Sequence, residues 1–175
     1  MELDQIQPEQ ASVQVGVADA PVQIVEYINL RCPDSKHYEE EVASLLKSYI
    51  EREQVVRYLK HFDKHKGVLE RGQWAYDYLP VLDNEAACQW IQFFFQNQAD
   101  WGSLESHVAI AHYAEAQGLT LFPEAKVWHA AVQKEIEAVG VERIPTVIVN
   151  GTPLIEKITS EELQAAVESA LHPGA

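Results

Sequence analysis

Hydrophobic positions along the chain follow two different periods. Val13, Val15 and Val17 alternate with small or polar residues, as a short edge strand would. Residues 22–30 are almost continuously apolar and rich in β-branched side chains, which suits a central strand buried on both faces. From residue 32 to 53 the spacing becomes helical. Val42, Leu45, Leu46, Tyr49 and Ile50 share one face, with Glu39, Glu40, Lys47 and Glu51 on the other. Residues 55–62 form a second predicted strand, which a helical crossover makes parallel to the first.

Residues 67–140 are helical throughout. One segment covers 74–82, and a second, 86–98, follows the capping run Asp83-Asn84-Glu85. A third, from about residue 104 to 117, stops at Gly118, and a fourth starts at Phe122-Pro123-Glu124 and stops at Gly140. Residues 144–149 form a strand, Asn150-Gly151 a hairpin turn, and 153–158 the return strand. Thr159-Ser160-Glu161-Glu162 then caps a last helix over 163–171. Residues 1–11 are polar and read as a loose leader. The predicted order is β-β-α-β, a helical block, then a β-hairpin and a helix. That describes one α/β domain over residues 1–175, with residues 67–140 as a helical insertion folded onto the sheet.

Composition narrows the function classes. Thirteen basic and 27 acidic residues give a net charge of −14, which disfavours nucleic acid as a partner. The same charge repels small anionic thiols unless basic groups line the site locally. No apolar run approaches the ~20 residues of a membrane span. The first residues lack the basic start and apolar stretch of a secretory signal, and two cysteines make no disulfide framework; the expectation is a cytoplasmic protein.

Candidate chemistry gathers at two places. Cys32 lies where the first central strand gives way to a helix, and the helix N-terminus there favours negative charge and hence a thiolate. Pro33 fits the first helical position. Ile144-Pro145 opens the later strand, and a proline in that place is an edge feature, a bulge or a cis bond. A cis bond turns the strand start toward Cys32 and leaves the Ile144 backbone free to pair with an extended peptide. Glu26, an acid within an apolar strand, either serves proton transfer or makes a structural ion pair with Lys60 or His61.

These motifs, in this order and around a helical insertion, resemble the DsbA-like branch of the thioredoxin superfamily. The resemblance covers about residues 12–171 and rests on the run from Val22 to Pro33, on the insertion, and on Arg143-Ile144-Pro145-Thr146-Val147-Ile148-Val149-Asn150-Gly151. It implies a thioredoxin-like fold and a thiol–disulfide exchange site. Cys32 would be the nucleophile and Glu26 the buried proton acceptor, with Pro33, Asp34, Ile144 and Pro145 meeting the substrate. The chain departs from the pattern at Ser35, which stands where a second cysteine would complete Cys-x-x-Cys. A lone Cys32 forms mixed disulfides but needs a second thiol from solution to release them. No cofactor or metal is expected beyond a low-molecular-weight thiol such as glutathione as co-substrate. The partner is then a thiol- or disulfide-containing protein or small molecule.

Local chemistry around the thiol pulls both ways. Ser35 is placed to donate a hydrogen bond to the thiolate, whereas Asp34 repels it and Arg31 and Lys36 offset Asp34, for a moderately activated thiol. Cys88 shares a helical face with Ile91 and Phe95, as a core residue or a remote resolving cysteine. Trp90, Phe93, Phe94 and Phe95 read as inter-helix packing or as the lining of a groove above Cys32. His61 and His65 have i, i+4 spacing, but they fall at a strand end and in a loop and make no metal set. Two other functions fit the same residues. One is a non-catalytic adaptor that binds extended peptide along the Ile144-Pro145 edge. The other is a kappa-type glutathione transferase-like enzyme.

Overall fold

Alternation at the N-terminal valines does produce a short strand, β1 (Val13–Val15), in the computed structural model, which describes residues 1–175. The apolar run that follows becomes β2 (Val22–Ile28), and Pro33 starts α1 (Pro33–Glu51), which leads to β3 (Val55–His61). The second half supplies β4 (Thr146–Val149), β5 (Thr152–Ile155) and α7 (Ser160–Leu171). Between the halves stand α2 (Glu70–Tyr76), α3 (Asn84–Gln96), α4 (Gln98–Trp101), α5 (His107–Ala116) and α6 (Pro123–Val139). The five strands form one sheet in the order β1-β3-β2-β4-β5, with β2 and β3 parallel and the other pairs antiparallel.

Side chains alternate across the sheet and sort the core into three groups. Val22 and Ile24 of β2, with Val147 and Val149 of β4, pack under α1 and α7 around Tyr38, Val42 and Leu163. Further along, Ile28, Leu30 and Leu59 meet the insertion at Phe94, Phe95 and Trp101. Val25, Tyr27, Val56 and Tyr58 face the other way, onto Val132, Ile136 and Val139 of α6.

Several boundaries differ from the sequence reading, for local reasons. The helix expected over 74–82 ends at Tyr76, because Pro80 has no N–H to continue it and restricts Leu79 before it. The third segment starts at His107 rather than near residue 104, since the Ser106 side chain accepts the N–H of Ala109 and sets the first turn there. The return strand stops at Ile155, where Glu156 takes a left-handed conformation with φ 54°. Thr159 and Glu162 close the expected capping box on α7.

Residues 1–11 are a strap rather than a loose leader. Glu2 N–H bonds the Val139 carbonyl at 2.8 Å, and Gln7 N–H bonds Glu135 Oε2 at 3.1 Å. Lys60 Nζ, fully buried, donates to the Gln7 carbonyl and to both Glu135 oxygens. A buried lysine needs that many acceptors to offset its lost hydration.

Candidate active site

Antiparallel pairing of β2 with β4 sets Tyr27 opposite Thr146, so the exit of β2 and the entry of β4 lie side by side. Cys32 leaves one and Ile144-Pro145 enters the other. The Ile144–Pro145 peptide bond is cis. Cys32 Sγ lies 4.0 Å from the Ile144 carbonyl oxygen, at the N-cap of α1, and the residue is only 5% exposed. Pro33 and Asp34 are exposed at the rim.

The segment before the thiol is held by a dense set of hydrogen bonds. Asn29, fully buried, donates to the carbonyls of Phe62 and Leu69, and its Oδ1 accepts the Arg31 N–H at 2.8 Å. His61 Nε2 accepts the Leu30 N–H at 3.1 Å. Gln98, from α4, donates to the Leu30 carbonyl at 2.7 Å and to the Cys32 carbonyl at 3.2 Å. Gly72 allows α2 to close on Asn29; a Cβ there would stand 2.2 Å from Asn29 Oδ1. Sequence reasoning missed Gln98 and Asn29, whose partners lie tens of residues away and leave no local pattern.

Ser35 corrects one expectation. Its hydroxyl is fully buried, and its oxygen accepts the Asn29 N–H at 3.2 Å; no hydrogen bond joins it to Cys32. Ser35 holds the loop rather than the thiol. Arg31 and Lys36 make no ion pair with Asp34. Arg31 turns to the Gly102 carbonyl, and Lys36 pairs with Glu40 at 3.6 Å.

Glu26 corrects another. Its partner is neither Lys60 nor His61 but Arg57, which donates to both carboxylate oxygens at 2.8 and 2.9 Å, with Tyr38 donating as well. Register explains the choice. Lys60 is paired with Tyr27, whose side chain faces the opposite side of the sheet from that of Glu26, and the His61 ring turns to Leu30 and Asp63. Glu39, read from the helical period as solvated, is buried and bonds Arg57 at 2.6 Å. Burial raises the pKa of Glu26 despite the pull of Arg57. Glu26 makes the ion pair with Arg57, and no direct hydrogen bond links it to Cys32.

The other thiol is elsewhere. Cys88 packs with the insertion cluster, in a cleft with Arg57 and Glu39, whereas Cys32 packs with Ile144 and Val141. Both cysteines are free, and burial pushes the Cys88 thiol up. The aromatic run belongs to the insertion core, where Phe94 and Trp101 meet edge to face at 5.5 Å.

Behind Leu30 runs a chain of titratable groups. His61 Nδ1 meets Asp63 at 2.7 Å, Asp63 meets His129 Nδ1 at 2.5 Å, and His129 Nε2 meets Asp77 at 2.8 Å. Burial lowers the pKa of His61. Burial alone would also lower that of His129, but Asp63 and Asp77 outweigh it and push it up to about 9. Asp63 is held well below the usual carboxylate range by the two rings, against the effect of its burial. Ligand atoms of His61, Asp63 and His129 lie within 4.8 Å of one another, as a metal trio would. The tautomer argues otherwise. His61 Nε2 accepts the Leu30 N–H, so Nδ1 carries the proton and has no lone pair for a cation.

No helix is long and apolar enough to cross a membrane. A family model described as thioredoxin matches residues 9–169. Among solved structures, a conserved protein of unknown function from Enterococcus faecalis V583 is 31% identical, with a TM-score of 0.90 over 96% of this chain and 95% of that one. The catalytic domain of Proteus mirabilis ScsC is 16% identical, with a TM-score of 0.76 over 97% of this chain and 94% of that one. Wolbachia pipientis alpha-DsbA1 is 15% identical, with a TM-score of 0.74 over 97% of this chain and 96% of that one. No curated protein matches the chain. With a thiol at a helix N-cap beside a cis-proline loop, and the family match over residues 9–169, the chain belongs to the thioredoxin family and has the fold of its DsbA-like members.

Proposed function

We propose that this protein is a thiol–disulfide exchange enzyme that works with one thiol, Cys32. The observation that carries the reading is the placement of Sγ at the α1 N-cap, 4.0 Å from the carbonyl that precedes the cis proline. An N-cap thiolate gains from the N–H groups and dipole of the helix. The Ile144 backbone at the strand entry offers an edge for an extended peptide.

The exchange follows in two steps. The Cys32 thiolate attacks one sulfur of a disulfide R–S–S–R; the S–S bond breaks, the Cys32–S–S–R bond forms, and RS⁻ leaves and takes a proton from water. A second thiolate from solution then attacks the R sulfur and returns Cys32 as thiolate. Ser35 cannot do this, and Cys88 packs in a different cluster. The second thiol therefore comes from solution, from a small molecule such as glutathione or from a protein. A cytoplasmic setting, with abundant reduced thiol, suits such a cycle.

The test is turnover of a disulfide-containing peptide by a low-molecular-weight thiol. Cys32→Ser is expected to reduce the catalysed rate to the uncatalysed background, and Cys88→Ala to leave it within about twofold. Turnover that survives Cys32→Ser contradicts the proposal. Peptide binding that survives Cys32→Ser, with no turnover in either protein, favours an adaptor, a reading to which the 5% exposure of Cys32 gives weight.

A further inference from the structure

Two guanidinium groups converge on one carbonyl, and one of them belongs to the residue that precedes the thiol. Arg31, the residue before Cys32, donates through Nε to the Gly102 carbonyl at 2.8 Å, and Arg71 donates through Nη1 to the same oxygen at 2.8 Å. Arg31 is fixed at its backbone too, where its N–H bonds Asn29 Oδ1. Gly102 makes room for it, because a Cβ there would stand 2.7 Å from Arg31 Nε.

Neither side chain is neutralised. The ion-paired arginines are Arg57 and Arg143, while Arg31 and Arg71 stand in no ion pair and are half-buried. Each guanidinium has five N–H donors and uses one of them on Gly102. Two cations share one carbonyl, one of them from the residue before the nucleophile, in a protein of net charge −14. Burial lowers the pKa of Arg31, the charge on Arg71 lowers it further, and a charge on Cys32 acts in the opposite direction. Like charges held together at such a cost are relieved by an anion, and the forked N–H geometry of arginine matches a carboxylate.

We propose that Arg31 and Arg71 form an anion-binding subsite of the Cys32 site, and that the small thiol or disulfide exchanged there carries a carboxylate near its sulfur. The inference rests on the exchange reading and adds the charge class of the co-substrate. A local cationic pair also overcomes the repulsion that the overall charge imposes on anionic thiols.

Alkylation tests the subsite without any disulfide chemistry. In Cys88→Ala protein, Cys32 is reacted at low ionic strength with iodoacetate, which is anionic, and with iodoacetamide, which is neutral. The rate ratio is compared with that of the same chain unfolded in urea. Folding is expected to raise the iodoacetate-to-iodoacetamide ratio by about fivefold or more, and high salt to compress it. Arg71→Gln is expected to lower the ratio about threefold, and Arg71→Lys to retain part of it. Arg31→Gln is expected to act likewise. A folded ratio at or below the unfolded one, or one unchanged in the glutamine variants, overturns the proposal.

A second arm separates the two readings. Oxidised glutathione, which is anionic, is expected to react with Cys32 about tenfold faster than cationic cystamine. Equal rates for both overturn the subsite while exchange stands. A raised alkylation ratio with no reaction toward any disulfide removes the exchange reading and leaves the subsite in place.

Discussion

Single side chains decide how the reactive loop is held. His61 fixes Leu30 only while its Nε2 stays unprotonated, and the Asp63–His129–Asp77 chain holds its ring. His129 gives that chain a pH dependence. A histidine in an unfolded chain titrates near 6.5, whereas the folded protein holds the His129 proton up to about 9. The fold therefore binds that proton more tightly. The stabilisation is complete below pH ~6.5 and is lost as pH rises through about 9. On the order of 3 kcal/mol is at stake across that window, as an upper figure for a buried pair. Urea unfolding at pH 6.5 and 9.5 checks it. The wild type should lose stability between the two, and His129→Gln, less stable at pH 6.5, should show most of that dependence removed. Equal slopes in both proteins would show that another group carries the effect.

At the scale of elements, the insertion reaches into the site as well as covering the sheet. α2 brings Gly72 against Asn29, and α4 brings Gln98 against the carbonyls of Leu30 and Cys32. The close approach at Gly72 gives a direct test. Alanine there places a methyl carbon 2.2 Å from a buried amide oxygen that anchors the Arg31 N–H, so Asn29 or α2 must shift. Gly72→Ala is expected to cost about 1–3 kcal/mol and to change Cys32 reactivity, although residue 72 does not touch the thiol. A variant as stable as the wild type, with the same alkylation rate, would show that the loop does not depend on this contact.

For the whole molecule, element order was readable because the sheet and helices impose periods of 2 and 3.6 on the apolar positions. The meeting of Cys32 with Ile144-Pro145 was readable too. Each marks the end of a strand, and the two strands pair in a sheet whose order the connections constrain. Two things were hidden. The helical period placed Glu39 on the solvent side, but a buried Arg57 on β3 draws it inward. Gln98 reaches the Cys32 loop and His129 the chain behind it from helices tens of residues away, and a contact at that separation leaves no mark on local spacing. Proline also overrode a helical pattern at residue 80. Exchange through Cys32 requires the fold to activate a thiol that is nearly covered. The most direct measurement is the rate at which Cys32, in Cys88→Ala protein, forms a mixed disulfide with neutral 2-hydroxyethyl disulfide at pH 7, folded and unfolded in urea. Activation by the fold requires the folded protein to react about tenfold faster or more. A folded rate at or below the unfolded rate would contradict it and leave Cys32 a sheltered residue in a binding protein.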